Sequence, residues 1–371
     1  MNRNIPLMDL KVQYESLKKG IDKVIEETLI NAAFIGGSAV QNFEKEFADY
    51  LGSGIVTSCG NGTDSLEIIM TALEIGAGDE VIVPAMTWIS TSEAIVTCGA
   101  KPIFADVLLN NSCLDVADVE RKITSNTKAV IAVHLHGNMV DMPALMNLCN
   151  KHNIKVIEDC AQAHGSSLEG KKVGTWGIAG SFSFFPSKNL GCYGDGGAIY
   201  TENKKLSQKI RLIARHGQSS KNEHLINGRN SRLDSLQARI LSIKLPHLEK
   251  WIDQKNNHAK YYCHSLKDVN ELKLPPLSGN EIRLSWHLFV IRLKERDALR
   301  NHLKAHHIET GIHYPTALPF QPCYKYLNHT SKDFPIAAKL QDEVLSIPMY
   351  AELEKFQLDK IVNCIKLFYT Q

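Results

Sequence analysis

The sequence predicts an α/β protein built on a mostly parallel sheet with helices on both faces. Three observations carry this expectation. Short β-rich runs alternate with helical patterns through the first two thirds of the chain. The longest uninterrupted apolar runs, such as Ala129 to Val133, are strand-sized. From Asn203 onward the pattern becomes helical before a shorter α/β unit closes the chain. Alternation of this kind needs crossover helices, and crossover helices make parallel strands covered on both faces.

The elements follow in order. Ile55 to Cys59 reads as a strand and Thr63 to Leu73 as a helix. Val81 to Val83 and Pro102 to Ala105 are strands, with a helix at Thr91 to Cys98 between them. Ala129 to Val133, a helix around Ala144 to His152 and Lys155 to Asp159 continue the alternation. Ala179 to Phe185 and Ala198 to Thr201 are the last strands of this region. Ser235 to Leu248 and Trp251 to Leu266 read as helices. A turn follows at Leu274 to Gly279, then a strand at Trp286 to Arg292 and a helix at Arg296 to Ala305. With 371 residues, 44% of them hydrophobic, the chain is too long for one small core. Two domains are expected: residues 1–250, large, with an N-terminal helical arm, and residues 251–371, smaller and α/β.

Net charge is +2, and no tail collects one sign, so nothing marks a nucleic-acid or lipid partner. The first ten residues carry no apolar core of a secretory signal, and no apolar run is long enough for a bilayer. Nine scattered cysteines without a Cys-x-x-Cys pair suggest reduced thiols and a cytoplasmic protein.

The chemistry concentrates in Ser181-Phe-Ser-Phe-Phe-Pro-Ser-Lys188-Asn-Leu-Gly-Cys-Tyr-Gly-Asp-Gly-Gly-Ala198. An apolar strand ends, a proline turns the chain, and one lysine stands at the mouth of a glycine-rich loop. A lysine held still and partly dried can lose its proton and act as an amine nucleophile. That loop precedes a strand, not a helix, which rules out a dinucleotide-binding glycine motif. Asp159 ends a buried-looking strand, at the carboxyl end where such sheets bind ligands, and it could pair with a protonated pyridine nitrogen. Gln162 could hydrogen-bond a phenolic oxygen on the same ring. For an isolated Asp159, a helix cap or a surface ion pair is the plainer reading.

Ser58-Cys-Gly-Asn-Gly-Thr-Asp-Ser65 lies between a strand and a helix. Its free amides and the helix dipole suit a phosphate, with Thr63 adding a hydroxyl; capping by Thr63 or Asp64 is the plain alternative. Trp88, past a strand end, could stack on a flat ring or fill the core. His302 and His306 stand four apart on a predicted helix beside His307, and His134 and His136 alternate at a strand end. Neither set carries the glutamate of a His-Glu-x-x-His site, so solvated faces are expected and no metal.

As a set, these pieces resemble the DegT/StrS family of pyridoxal phosphate (PLP)-dependent sugar aminotransferases, of fold-type I. The likeness runs through Gly60 to Asp64, Gly76 to Pro84, Val156 to Gly165, Phe182 to Gly197, Asn230 to Asp234, His313 to Pro315 and Leu345 to Met349. The resemblance implies that Lys188 carries PLP, that Asp159 holds the pyridinium proton and that Gln162 contacts the ring hydroxyl. Trp88 would stack on the ring, and Gly62, Thr63 and Ser183 would bind its phosphate. Asn230 would reach that phosphate from a second subunit, so a homodimer is implied. Arg232, His313 and Tyr314 would line the substrate entrance. L-glutamate would be the amino donor and a nucleotide-linked keto-sugar the acceptor. The Pro186 to Gly197 loop is similar to the branch acting at C3 of UDP- or dTDP-sugars, which makes amino sugars for surface polysaccharide. A C4-keto-sugar or cyclitol aminotransferase is the alternative, and a non-catalytic regulator of the same fold is the alternative from another class.

Overall fold

The computed structural model describes residues 4–277, 279 and 281–370. Ser278, inside the turn expected at Leu274 to Gly279, lies outside the described residues, as does the start of the N-terminal segment.

The first described residues cross to the far end of the chain. The Ile5 N–H donates to the His307 carbonyl at 2.9 Å, and the Glu309 N–H donates back to Ile5 at 2.9 Å. Asp9 then caps the helix Leu10–Ile30, its carboxylate accepting from the amides of Lys11 and Val12. A second helix, Gly37–Leu51, leads into the sheet.

Seven strands make the central sheet: β1 (Ile55–Cys59), β2 (Glu80–Pro84), β3 (Lys101–Ala105), β4 (Thr127–Val133), β5 (Lys155–Asp159), β6 (Ala179–Ser183) and β7 (Gly197–Thr201). Their order in space is β1-β7-β6-β5-β4-β2-β3. Only β7 runs antiparallel to its two neighbours; every other pairing is parallel. The central strands are buried on both faces, as the apolar run Ala129 to Val133 requires. Helices Gly62–Ala72, Ser90–Thr97, Val116–Lys122 and Met142–Lys151 connect the strands.

The sheet is packed from two sides. Leu66, Ile69, Val81, Val83, Ile131 and Ile157 share one apolar cluster, while Ile82, Val130, Ala132, Leu145 and Val156 share another. The alternation of Val81, Ile82 and Val83 between clusters is the two-residue period of a strand. Helix Leu248–Leu266 runs on to a separate cluster, where Tyr262 and Leu266 meet Phe289, Leu299, Leu303, Ile347 and Ile361. A two-stranded antiparallel pair, Phe289–Arg292 with Val344–Ile347, forms the floor of that unit.

The order of strands puts β5 beside β6 and β4. The carboxyl ends of β4, β5 and β6 therefore open onto one crevice, with Asp159 at the last position of β5.

Candidate active site

Two adjacent carboxylates end β5, and the strand turns them to opposite sides. Glu158 is fully buried. Its oxygens accept from the amides of Gly174, Trp176 and Gly177 at 2.7–2.8 Å and from His134 Nε2 at 3.1 Å. His134 Nδ1 accepts from the Val140 amide, so Nε2 carries the proton. Every lone pair of Glu158 is committed, and this acid is a structural anchor. Asp159 is 7% exposed and takes only two hydrogen bonds, from Thr91 Oγ1 at 2.9 Å and the Ala161 amide at 3.1 Å. Burial raises its pKa, against the lowering effect of those two donors and of Lys188. A buried carboxylate without a cation in contact is stabilised by a positively charged ring nitrogen.

Lys188 follows the end of β6, at a turn closed by its own amide donating to the Phe185 carbonyl at 2.8 Å. Desolvation lowers its ammonium pKa to about 8, with Asp159 acting in the opposite sense. The neutral amine is thus within reach near neutral pH. The neighbouring Asn189 is clamped: its Oδ1 accepts from Lys255 Nζ at 2.7 Å, and its Nδ2 donates to the Ser285 carbonyl at 2.9 Å.

The turn after β1 has the shape of an anion cradle. Asn61, extended, caps the helix Gly62–Ala72 through its side chain to the Asp64 amide at 2.8 Å. The cap is therefore Asn61, not Thr63 or Asp64, and Thr63 Oγ1 is left to donate to Ser90 Oγ at 2.8 Å. A Cβ on Gly62 would lie 2.7 Å from the Cβ of Ser183, so only glycine lets this helix start approach the end of β6. That approach sets Gly62 against Ser183, with Thr63 next in the chain and the first helix amides, of Gly62 and Thr63, without a hydrogen bond among the described residues.

The opposite wall comes from the C-terminal unit. Gln162 accepts from the His136 amide at 2.8 Å and donates to the Tyr314 hydroxyl at 2.9 Å. The Tyr314 ring lies 5.7 Å from that of Trp88, tilted by 43°. Trp88 is 57% exposed, which excludes the core-filling role. His313 accepts or donates at Ser346 Oγ, 2.8 Å away, and its carbonyl accepts from His136 Nε2 at 3.2 Å. Burial, and then the charge of Lys188, lowers the His313 pKa to about 4.

Asn230 and Arg232 are not brought to Lys188 within this chain. They flank Ser231, which accepts from the Gly60 amide at 2.9 Å and donates to Asp64 at 2.6 Å. Ser231 faces the anion cradle; Asn230 and Arg232, one residue to either side, are exposed.

Sequence reasoning passed over Thr91, Lys255 and Asn189. No spacing rule links them to the site, although Asn189 adjoins Lys188. All nine cysteines are free. No helix among the described residues is long and apolar enough to cross a membrane.

Residues 15–366 match the DegT/DnrJ/EryC1/StrS aminotransferase family. The chain belongs to that family. Similar proteins extend the match over the full length. A UDP-N-acetyl-3-dehydro-alpha-D-glucosamine 3-aminotransferase of Acidithiobacillus ferrooxidans is 40% identical, covering 98% of both chains. A protein of Geobacillus stearothermophilus named a pleiotropic regulatory protein is 41% identical, covering 99% of both. The solved structure of S. venezuelae DesV, in complex with a ketimine intermediate, superposes with a TM-score of 0.96 at 36% identity, covering 99% of both chains. The DegT/DnrJ/EryC1/StrS fold is thus that of a PLP-dependent sugar aminotransferase, and this member is an enzyme of that class. The residues present fit the cofactor: a desolvated amine, a buried acid lacking a cation in contact, an exposed tryptophan and a glycine-tight helix start share one crevice.

Proposed function

We propose that this enzyme transfers an amino group from L-glutamate to C3 of a nucleotide-linked keto-sugar, UDP- or dTDP-linked. The product would be an amino sugar for surface polysaccharide. The full-length identity to a 3-aminotransferase of a UDP-linked sugar carries this reading. The same site acting on a C4-keto-sugar or a cyclitol is the alternative.

Bound PLP supplies an electron sink for the carbanion formed at the reacting carbon. The chain's own residues do the rest. Asp159 keeps a proton on the ring nitrogen, and Thr91 orients Asp159. Lys188, as the free amine, takes a proton from the donor's α-carbon and later returns one to the sugar carbon that becomes aminated. The lowered pKa keeps a useful fraction of that amine unprotonated. Gly62, Thr63 and Ser183 hold a phosphate with helix amides and hydroxyls, which anchors the ring while Lys188 is detached. Gln162 orients the ring hydroxyl, and Trp88 covers one ring face. His313 and Tyr314 shape the entrance for the sugar.

The site is completed in a cytoplasmic homodimer, where Asn230 reaches the partner's phosphate and Arg232 its anionic substrate. The outward pose of both side chains beside inward Ser231 supports this. The division at residue 250 puts the cofactor's anchors in the large domain and His313 and Tyr314 in the small one.

The test is a panel of UDP- and dTDP-linked 3-keto and 4-keto sugars with L-glutamate as donor, the products read by NMR. Amination at C3 supports the reading. Product from 4-keto sugars alone overturns it.

A further inference from the structure

His302 and His306 lie one turn apart on the helix Arg296–Ala305, with ring centroids 4.4 Å apart. The sequence offers them as a solvated pair with no third ligand. The fold supplies one: Cys364, on the last helix, Lys355–Thr370. One nitrogen of each ring and the Cys364 sulfur all lie within 4.8 Å of one another.

The rings are already oriented. His302 Nε2 is 3.1 Å from the Cys364 carbonyl, and His306 Nδ1 is 2.8 Å from the His302 carbonyl. A carbonyl only accepts, so those two nitrogens carry the protons. The other nitrogen of each ring keeps its lone pair, and a ring turn about χ2 exchanges the two nitrogens where a cation beside the Cys364 sulfur requires it. Imidazoles that bind metals are typically fixed in this way, through an N–H held by a backbone carbonyl. Phe368 packs against the His302 ring at 5.4 Å, and Cys364 is buried, which leaves one dry side and one open side.

We propose that His302, His306 and Cys364 form a binding site for a borderline-soft divalent cation, Zn²⁺, that ties the helix Arg296–Ala305 to the last helix. Two imidazoles and a thiolate suit Zn²⁺ better than Mg²⁺ or Ca²⁺, and water takes the fourth position on the open side. Binding releases the thiol proton to solvent, so affinity falls as pH falls. The site lies in the C-terminal unit and shares no residue with the crevice around Lys188, so its role is structural.

The experiment uses the untagged, PLP-loaded enzyme after chelator treatment. Zn²⁺ binding is measured by calorimetry, and Co²⁺ is used as a coloured probe for thiolate ligation. Wild type should take one tight equivalent, with a sulfur-to-cobalt charge-transfer band and a raised Tm. His306→Ala, an exposed change, should weaken that equivalent by about tenfold or more. Cys364→Ser should remove the charge-transfer band, and neither variant should change turnover. Equal Zn²⁺ affinity in wild type and His306→Ala, or a cobalt spectrum without thiolate ligation, overturns the proposal.

Discussion

Lys255 Nζ lies 2.7 Å from Asn189 Oδ1, and Asn189 is the residue after Lys188. A buried ammonium on the helix Leu248–Leu266 thus grips the side chain of the residue next to the amine proposed to do the chemistry. Asn189 passes the grip on to Ser285, which is tied to Ser166 and so to Gly137. Lys188 is held from both halves of the chain by contacts that no local motif announces.

If this clamp positions Lys188, Lys255→Met and Asn189→Ala should each lower kcat with little change in sugar KM. The two changes remove one shared hydrogen bond, so the double variant should be no worse than the poorer single one. Additive losses in a double-mutant cycle would show that the pair does not act as a unit.

Lys188→Ala should lower kcat by at least about 10²–10⁴-fold, the usual contribution of a placed proton-transfer group. Single-turnover kinetics with L-glutamate give the readout. Asp159→Asn should also be severely impaired, because an amide cannot hold a proton on a ring nitrogen by charge.

Glu158 serves stability rather than chemistry. Glu158→Ala strands the buried Gly174 amide, the part-buried amides of Trp176 and Gly177 and the His134 N–H, and should cost about 3 kcal/mol or more in urea unfolding. A loss under about 1 kcal/mol would mean that water replaces the carboxylate.

The buried lysines set a pH dependence. Burial lowers the Lys255 pKa to about 8, from an ordinary value of 10.5. Between those values the unfolded chain binds the proton and the folded chain does not, so stability rises with pH. Below pH 8 both states bind it, and the folded state bears the full penalty, on the order of 3 kcal/mol. Lys255→Met should therefore flatten the rise in unfolding free energy between pH 8 and pH 10. An unchanged slope would place the titration elsewhere.

The proposed sharing of sites between two subunits predicts complementation. Lys188→Ala and Arg232→Ala homodimers should both be weak. Mixed dimers refolded from the two should recover activity, since one site then has both Lys188 and Arg232. No recovery, with mixed dimers verified by mass spectrometry, would place Arg232 in its own subunit's site.

Much of this was legible in the sequence because local rules govern it. The bounds of β1 and β5 match the strands expected at Ile55 to Cys59 and Lys155 to Asp159. The strand expected through Phe185 ends at Ser183, since Phe185 is exposed and the turn toward Lys188 has begun. The strand ends put Asp159, Gln162 and the start of the Lys188 turn around one crevice, as the residue pattern implied. The missed features depend on distant pairs. Which of Glu158 and Asp159 faces the crevice is settled by the amides of residues 174–177, sixteen or more residues on. Cys364 meets His302 only because two helices pack, and Lys255 meets Asn189 across 66 positions. The resemblance implies a phosphate contact for Gly62, yet its tightest steric constraint is Ser183 on another strand.

Lys188, half-buried, and Lys255, buried, line one cavity, and desolvation lowers both to a pKa of about 8. Borohydride reduction of the PLP-loaded enzyme, followed by peptide mass spectrometry, separates them. The cofactor mass is expected on the peptide containing Lys188 and on no other. Its appearance on Lys255, or on no lysine at all, would contradict the assignment on which the mechanism rests.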